Sequence, residues 1–129
     1  MDADGKPLSG RHILIVEDNF LVAEDLRAAV LEAGGLVSRV CASKKDALAV
    51  VLSDAFDGAL LDVQLQDGTC RKVARAFLRR GIPFIIVSGY DRESLPLELR
   101  GAPYVAKPFD RDQLTAMAIR HFTNGLPAS

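Results

Sequence analysis

Ala59-Leu60-Leu61-Asp62-Val63-Gln64 is the stretch that decides how this chain folds. Apolar residues run without a polar break into one acid, and polar residues and Gly68 follow. A short apolar run bounded by turn residues reads as a strand buried on both faces. Such a strand delivers the carboxylate at its end to the rim of a sheet. Asp62 is therefore the first candidate for a functional group.

Upstream, His12-Ile13-Leu14-Ile15-Val16 is a second run of the same kind, and it ends in Glu17-Asp18. From Asn19 the period changes: Val22, Leu26, Ala29, Val30 and Ala33 share one helical stripe. Asn19 is suited to cap that helix, and Gly34-Gly35 stops it. Leu36 to Val40 reads as a shorter strand. Ser43 caps a helix to about Ser53, with Ala47, Leu48, Val51 and Leu52 expected inward. Downstream of Asp62, residues 69–80 read as a helix with Val73, Ala74, Phe77 and Leu78 inward. Its other side carries Arg71, Lys72, Arg75, Arg79 and Arg80, which reads as a solvated face. Phe84-Ile85-Ile86-Val87 is a fourth strand, stopping at Ser88-Gly89-Tyr90. Pro96 interrupts residues 91–101, so one short turn near 94–100 is expected there. A brief fifth strand around Val105 ends at Lys107-Pro108, and Asp110 with Gln113 opens a last helix through about Phe122.

Five alternations of strand and helix, with strands that lack a polar face, imply a doubly wound α/β fold. A parallel sheet of this type carries its chemistry at the carboxyl ends of its strands. Glu17 and Asp18, Asp62, Ser88 and Lys107 all stand at such ends. Clustered carboxylates repel one another unless a cation joins them. Oxygen ligands in an open site suit Mg²⁺. A carboxylate can itself be a nucleophile and form an acyl phosphate, while a lysine and a hydroxyl hold the remaining phosphate oxygens.

Composition agrees with a single domain of 129 residues, 49% apolar and 26% charged. A formal net charge of −1 offers no basic field for nucleic acid or a membrane surface. No apolar run approaches the roughly 20 residues of a membrane span. Met1 to Gly10 lacks the apolar core of a signal peptide, so a cytoplasmic, reducing location is expected, with Cys41 and Cys70 as free thiols. No Cys/His cluster has metal-site spacing. His12 and His121 lie away from the rim and read as structural.

Four motifs carry a resemblance: Val-Glu-Asp at 16–18, Leu-Leu-Asp at 60–62, Val-Ser-Gly at 87–89 and Lys-Pro-Phe at 107–109. Together, in this order, they resemble the receiver domain of two-component response regulators. The resemblance spans residues 11–123, with a flexible lead-in at 1–10 and a tail at 124–129. It implies a flavodoxin-like, five-stranded parallel sheet of order 2-1-3-4-5 with five helices, the fourth short or irregular. It implies Asp62 as phosphoacceptor, with Glu17, Asp18, Asp62 and the backbone carbonyl of Gln64 holding Mg²⁺. Ser88 and Lys107 would contact the phosphoryl group, and Tyr104 matches the family's switch aromatic. Gln64 and Tyr90 stand where family members tune the phosphate's lifetime. The implied donor is a histidine kinase or histidine phosphotransfer protein, with a downstream protein target, no nucleic acid and no membrane, as a monomer or weak dimer. Such a domain turns over no external substrate. It catalyses its own phosphotransfer and its own dephosphorylation.

The chain departs from that pattern in places. The loop after Asp62 is short and has Gln66 where proline is common. Gly89-Tyr90 follows the hydroxyl residue, which resembles a subgroup with an altered fourth helix. Tyr104 reads equally well as a half-buried packing residue. An aspartate-nucleophile phosphatase of the haloacid dehalogenase type calls for a second acid two residues on, where Gln64 stands. A degenerate receiver that only binds, or a receiver cut from a longer protein, are further readings.

Overall fold

The computed structural model describes residues 6–123. The expected tail at 124–129 and residues 1–5 of the expected lead-in lie outside them. The first strands and helices are β1 (His12–Val16), α1 (Phe20–Glu32), β2 (Leu36–Cys41), α2 (Lys44–Ser53) and β3 (Gly58–Leu61). A small ribbon, β4 (Gln64–Leu65) and β5 (Gly68–Thr69), precedes α3 (Arg71–Arg80). Then come β6 (Phe84–Ser88), β7 (Tyr104–Ala106) and α4 (Arg111–Thr123). β2-β1-β3-β6-β7 is the strand order of the main sheet, and every pairing in it is parallel. This is the expected order 2-1-3-4-5 of a flavodoxin-like fold.

The apolar runs follow from burial on both faces. Leu14, Val16, Ala59, Leu61, Phe84 and Ile86 face the layer of α2 and α3. Their alternate neighbours Ile13, Ile15, Leu60, Ile85, Val87 and Val105 face the layer of α1 and α4. With period two and no wet face, the inner strands β3 and β6, and β1 past His12, have to stay free of charge along their length, whereas the edge strand β2 exposes Arg39 and Val40. Two of the caps read from the sequence form as expected, while Asp110 Oδ1 accepts from the N–H of Asp112 and not from that of Gln113. Asn19 Oδ1 accepts from the N–H groups of Leu21 and Val22 at 3.0 and 3.1 Å. Ser43 Oγ accepts from the N–H of Asp46 at 3.1 Å.

Several expectations are corrected. Among the described residues there are four α-helices, not five. Two 3-10 turns, Arg92–Ser94 and Leu97–Leu99, stand where a fourth helix was expected, on either side of Pro96. Side chains hold this segment in place of a helical ladder. Arg92 Nη1 donates to the carbonyl oxygens of Arg100 and Ala102 at 2.6 and 2.8 Å, and Arg100 Nε donates to that of Leu95 at 3.0 Å. Leu52 and Leu78, expected inward, are 82% and 58% exposed. The sheet reaches only a narrow stripe of each short helix, which in α3 takes in Ala76 instead. In the lead-in, Leu8 is fully buried and its N–H donates to the carbonyl of Ala33 at 2.9 Å. Residues 6–10 therefore form a docked turn, and a free lead-in does not extend through them. Among the described residues no helix is long and apolar enough to cross a membrane. Cys41 and Cys70 are buried and free.

Candidate functional site

Three of the candidate residues lie one position past a strand end, yet each still takes a ladder bond from the neighbouring strand. Glu17 N–H donates to the Cys41 carbonyl at 2.9 Å, Asp62 N–H to the Val16 carbonyl at 2.8 Å, and Lys107 N–H to the Ser88 carbonyl at 2.8 Å. The parallel sheet thus extends one step into the loops and fixes their backbones side by side. That is why residues 17, 62 and 107, far apart in the chain, meet.

Carboxylate oxygens of Glu17, Asp18 and Asp62 all lie within 4.8 Å of one another. Glu17 and Asp62 are buried, at 2% and 6% exposure, and Asp18 is exposed. Lys107 Nζ reaches between the buried pair, 2.8 Å from Glu17 Oε1 and 3.5 Å from Asp62 Oδ1. Glu17 Oε2 accepts from the N–H of Asn19 at 3.1 Å. Its Oε1 meets no polar partner beyond the Lys107 ammonium. Burial pushes the Glu17 carboxyl up to about 7 despite that ammonium and the Asn19 N–H. Burial likewise raises Asp62, with Asp18 adding repulsion and Lys107, Glu17 and the Gln64 N–H opposing. One ammonium is too little positive charge for three carboxylates. The set is oxygen-only, open on the Asp18 side and short of countercharge, which fits a hard divalent ion such as Mg²⁺.

Ser88, fully buried at the end of β6, accepts through Oγ from the N–H of Tyr90 at 3.0 Å. That bond leaves the hydroxyl proton available to an acceptor at the rim. Gln64 acts on the site through its backbone N–H, which favours the ionised form of Asp62. Tyr90 and Tyr104 are joined to each other next to Ser88. The Tyr104 hydroxyl donates to the Tyr90 carbonyl, and the Arg92 guanidinium lies 5.0 Å from the centroid of the half-buried Tyr104 ring. Tyr90 is half exposed and lines a cleft of about 430 Å³ with Val63, Gln64, Thr69 and Leu95.

Two residues at the site's edge escaped the sequence reading. Arg92 fixes Tyr104, and nothing in its local sequence signals this. Asp67, in the ribbon that follows Asp62, accepts through both carboxylate oxygens from the N–H groups of Lys44 and Lys45, at 2.6 and 3.1 Å. Asp67-Gly68 is a hairpin signal, so the ribbon itself was legible, although its partner on α2 was not.

A family model described as the response regulator receiver domain matches residues 13–119. The transcriptional regulatory protein DltR of Streptococcus agalactiae is 30% identical over 110 residues, covering 81% of this chain and 48% of that protein. The chain thus spans about half the length of the curated relatives it matches. The crystal structure of the response regulator PhyR from Brucella abortus superposes with a TM-score of 0.78 at 28% identity, over 93% of this chain and 51% of that one. The solution structure of SdrG from Sphingomonas melonis gives 0.73 at 31% identity, over 87% and 94%.

Proposed function

This chain belongs to the response regulator receiver domain family, and on that footing we propose that it takes a phosphoryl group onto Asp62 from a phosphohistidine donor. The donor is a histidine kinase or a histidine phosphotransfer protein. One observation carries the reading: a buried acid at a strand end, with Glu17 and Asp18 clustered beside it and the Lys107 ammonium held between it and Glu17.

An Asp62 oxygen attacks phosphorus, the phosphorus–nitrogen bond to the donor imidazole breaks, and the acyl phosphate forms. Glu17, Asp18 and Asp62, with the Gln64 carbonyl, would hold Mg²⁺, which supplies charge neutralisation of the phosphoryl oxygens. Lys107 moves its ammonium from Glu17 toward a phosphoryl oxygen. Ser88 donates its free hydroxyl proton to another. The new charge at Asp62 draws these two groups inward and biases the surface that a downstream partner reads, with Tyr104 following Ser88. Gln64 and Tyr90 border the acceptor and govern water's approach, hence the lifetime of the phosphate. Phe20 and Leu21 are exposed at the start of α1, whose Val22 and Asp25 share a cleft with Lys107, Pro108 and Phe109, and this side of α1 docks a donor helix bundle. The domain turns over no external substrate, and a cytoplasmic location fits this role.

Incubation with Mg²⁺ and acetyl phosphate, followed by intact mass, tests the proposal. One acid-stable, base-labile phosphate is expected on the wild type and none on Asp62→Asn. A wild type that takes up no phosphate, or an Asp62→Asn variant that takes up as much, would overturn it.

A further inference from the structure

The outer face of α3 is unused by the rim chemistry. α3 carries Arg71, Lys72, Arg75, Arg79 and Arg80 and no acid, in a chain whose formal net charge is −1. Arg80 folds back to donate to the carbonyl oxygens of Val51 and Asp54. The other four side chains belong to exposed residues. Arg71, Arg75 and Leu78 follow at helical spacings of four and three, so they stand in one row.

Two clefts flank that row. The upper one, of about 230 Å³, is walled by Lys44, Thr69, Arg71, Lys72 and Arg75. Cations gathered round a small cleft repel each other unless an anion answers them. The anion that answers two of them is Glu98, from the turn Leu97–Leu99. Its two oxygens take Arg71 Nε at 2.6 Å and Nη2 at 3.2 Å in a fork, and Arg75 Nη2 stands 3.7 Å away. Lys72 and Arg79 pair with no carboxylate among the described residues. The lower cleft, of about 370 Å³, is mainly apolar. Leu78, Ile82, Pro83, Phe84 and Pro103 line it, and Glu98 stands on its wall as well.

We propose that this row docks an acidic segment of a partner protein, one that carries an apolar anchor next to its acids. The partner's carboxylates enter the upper cleft, exchange with Glu98 on Arg71 and Arg75, and bring Lys72 an anion. The anchor lies against Leu78 in the lower cleft. Glu98 is the internal stand-in: its forked bond to Arg71 shows that this guanidinium, which walls the upper cleft, binds a carboxylate in bidentate geometry. An apolar cleft linked to the basic one through the Glu98–Arg71 pair favours a peptide over a phosphate backbone, which has no apolar anchor to seat there. The surface stands apart from the phosphoacceptor reading, since docking is expected on the unphosphorylated chain.

The probe is a synthetic Glu-Glu-Glu-Glu-Leu-Leu peptide titrated into the isotope-labelled chain and followed by amide chemical shifts. Saturable shifts confined to residues 44–45, 71–84 and 97–103 are expected, falling away with added salt. The double variant Arg71→Ala/Arg75→Ala should bind about tenfold more weakly. Lys72→Ala should bind about threefold more weakly without disturbing any internal contact. Glu98→Gln should bind about threefold more tightly, because the internal competitor loses its charge. Should the double variant fail to fold, Lys72→Ala and Glu98→Gln still decide the matter. The proposal is overturned if no saturable shifts appear, or if Lys72→Ala and Glu98→Gln leave affinity unchanged. Equal binding by Glu-Glu-Glu-Glu-Ser-Ser, or tighter binding by a single-stranded oligonucleotide, overturns it too.

Discussion

Lys107 stands between two buried acids and is closer to Glu17 than to the proposed phosphoacceptor Asp62. Its Nζ lies 2.8 Å from Glu17 and 3.5 Å from Asp62. Removing the ammonium leaves two buried carboxylates facing each other. Glu17 limits the loss, because burial has pushed its carboxyl up to about 7 and it can take a proton instead. With the Lys107 side chain 21% exposed, Lys107→Ala in Mg²⁺-free buffer should cost about 2 kcal/mol, below the range for a fully buried pair broken on one side. Mg²⁺ should then raise the melting temperature of the variant more than that of the wild type, since it replaces the missing charge. Thermal melts of both proteins with and without Mg²⁺ check this; an equal Mg²⁺ response would contradict it. The sequence marked Lys107 and Glu17 as site residues because each follows a strand. Spacing carries no rotamer, so the pairing between them was invisible.

At the level of elements, the ribbon after Asp62 is clamped to α2. Ser43 and Asp67 together satisfy the N–H groups of Lys44, Lys45 and Asp46, which no intrahelical carbonyl can reach. Those N–H bonds hold the Asp67 carboxyl below its ordinary value. A folded-state pKa depressed in this way contributes stability that is present above the unfolded value and lost as pH falls through the folded one. Asp67→Ala should therefore melt a few degrees lower than wild type at neutral pH, with the gap closing below about pH 4. A gap that stays constant down to acid pH would show that the carboxylate's charge is not what holds α2. The segment after β6 carries a parallel lesson. Pro96 announced that a full helix was excluded, and two 3-10 turns result. The side chains that hold them, Arg92 on Tyr104 and Glu98 on Arg71, depend on partners 12 and 27 residues away, beyond any local pattern.

Across the whole molecule, the two layers close on the sheet with little slack. Gly58, at the start of the central strand β3, lies directly beneath Phe122 of α4, and a Cβ there would run into the ring. Gly58→Ala should push α4 off the sheet at a cost of about 1–3 kcal/mol, read from denaturant unfolding. A stability equal to wild type would show that α4 seats more loosely than this packing implies. Alternation of strand and helix as far as β6 and the set of rim residues were legible in the residues themselves, while the strand order came with the resemblance to receiver domains. A strand buried on both faces must be apolar throughout, so the polar residue that ends it is conspicuous. Only the tertiary structure decided which rim charges pair, that Asp67 ties the loop after Asp62 to α2, that Leu78 stays outside, and that Glu98 pairs with Arg71 and Arg75 of α3. Those outcomes depend on side chains from distant segments competing for the same space and the same charge, and no local periodicity records that competition.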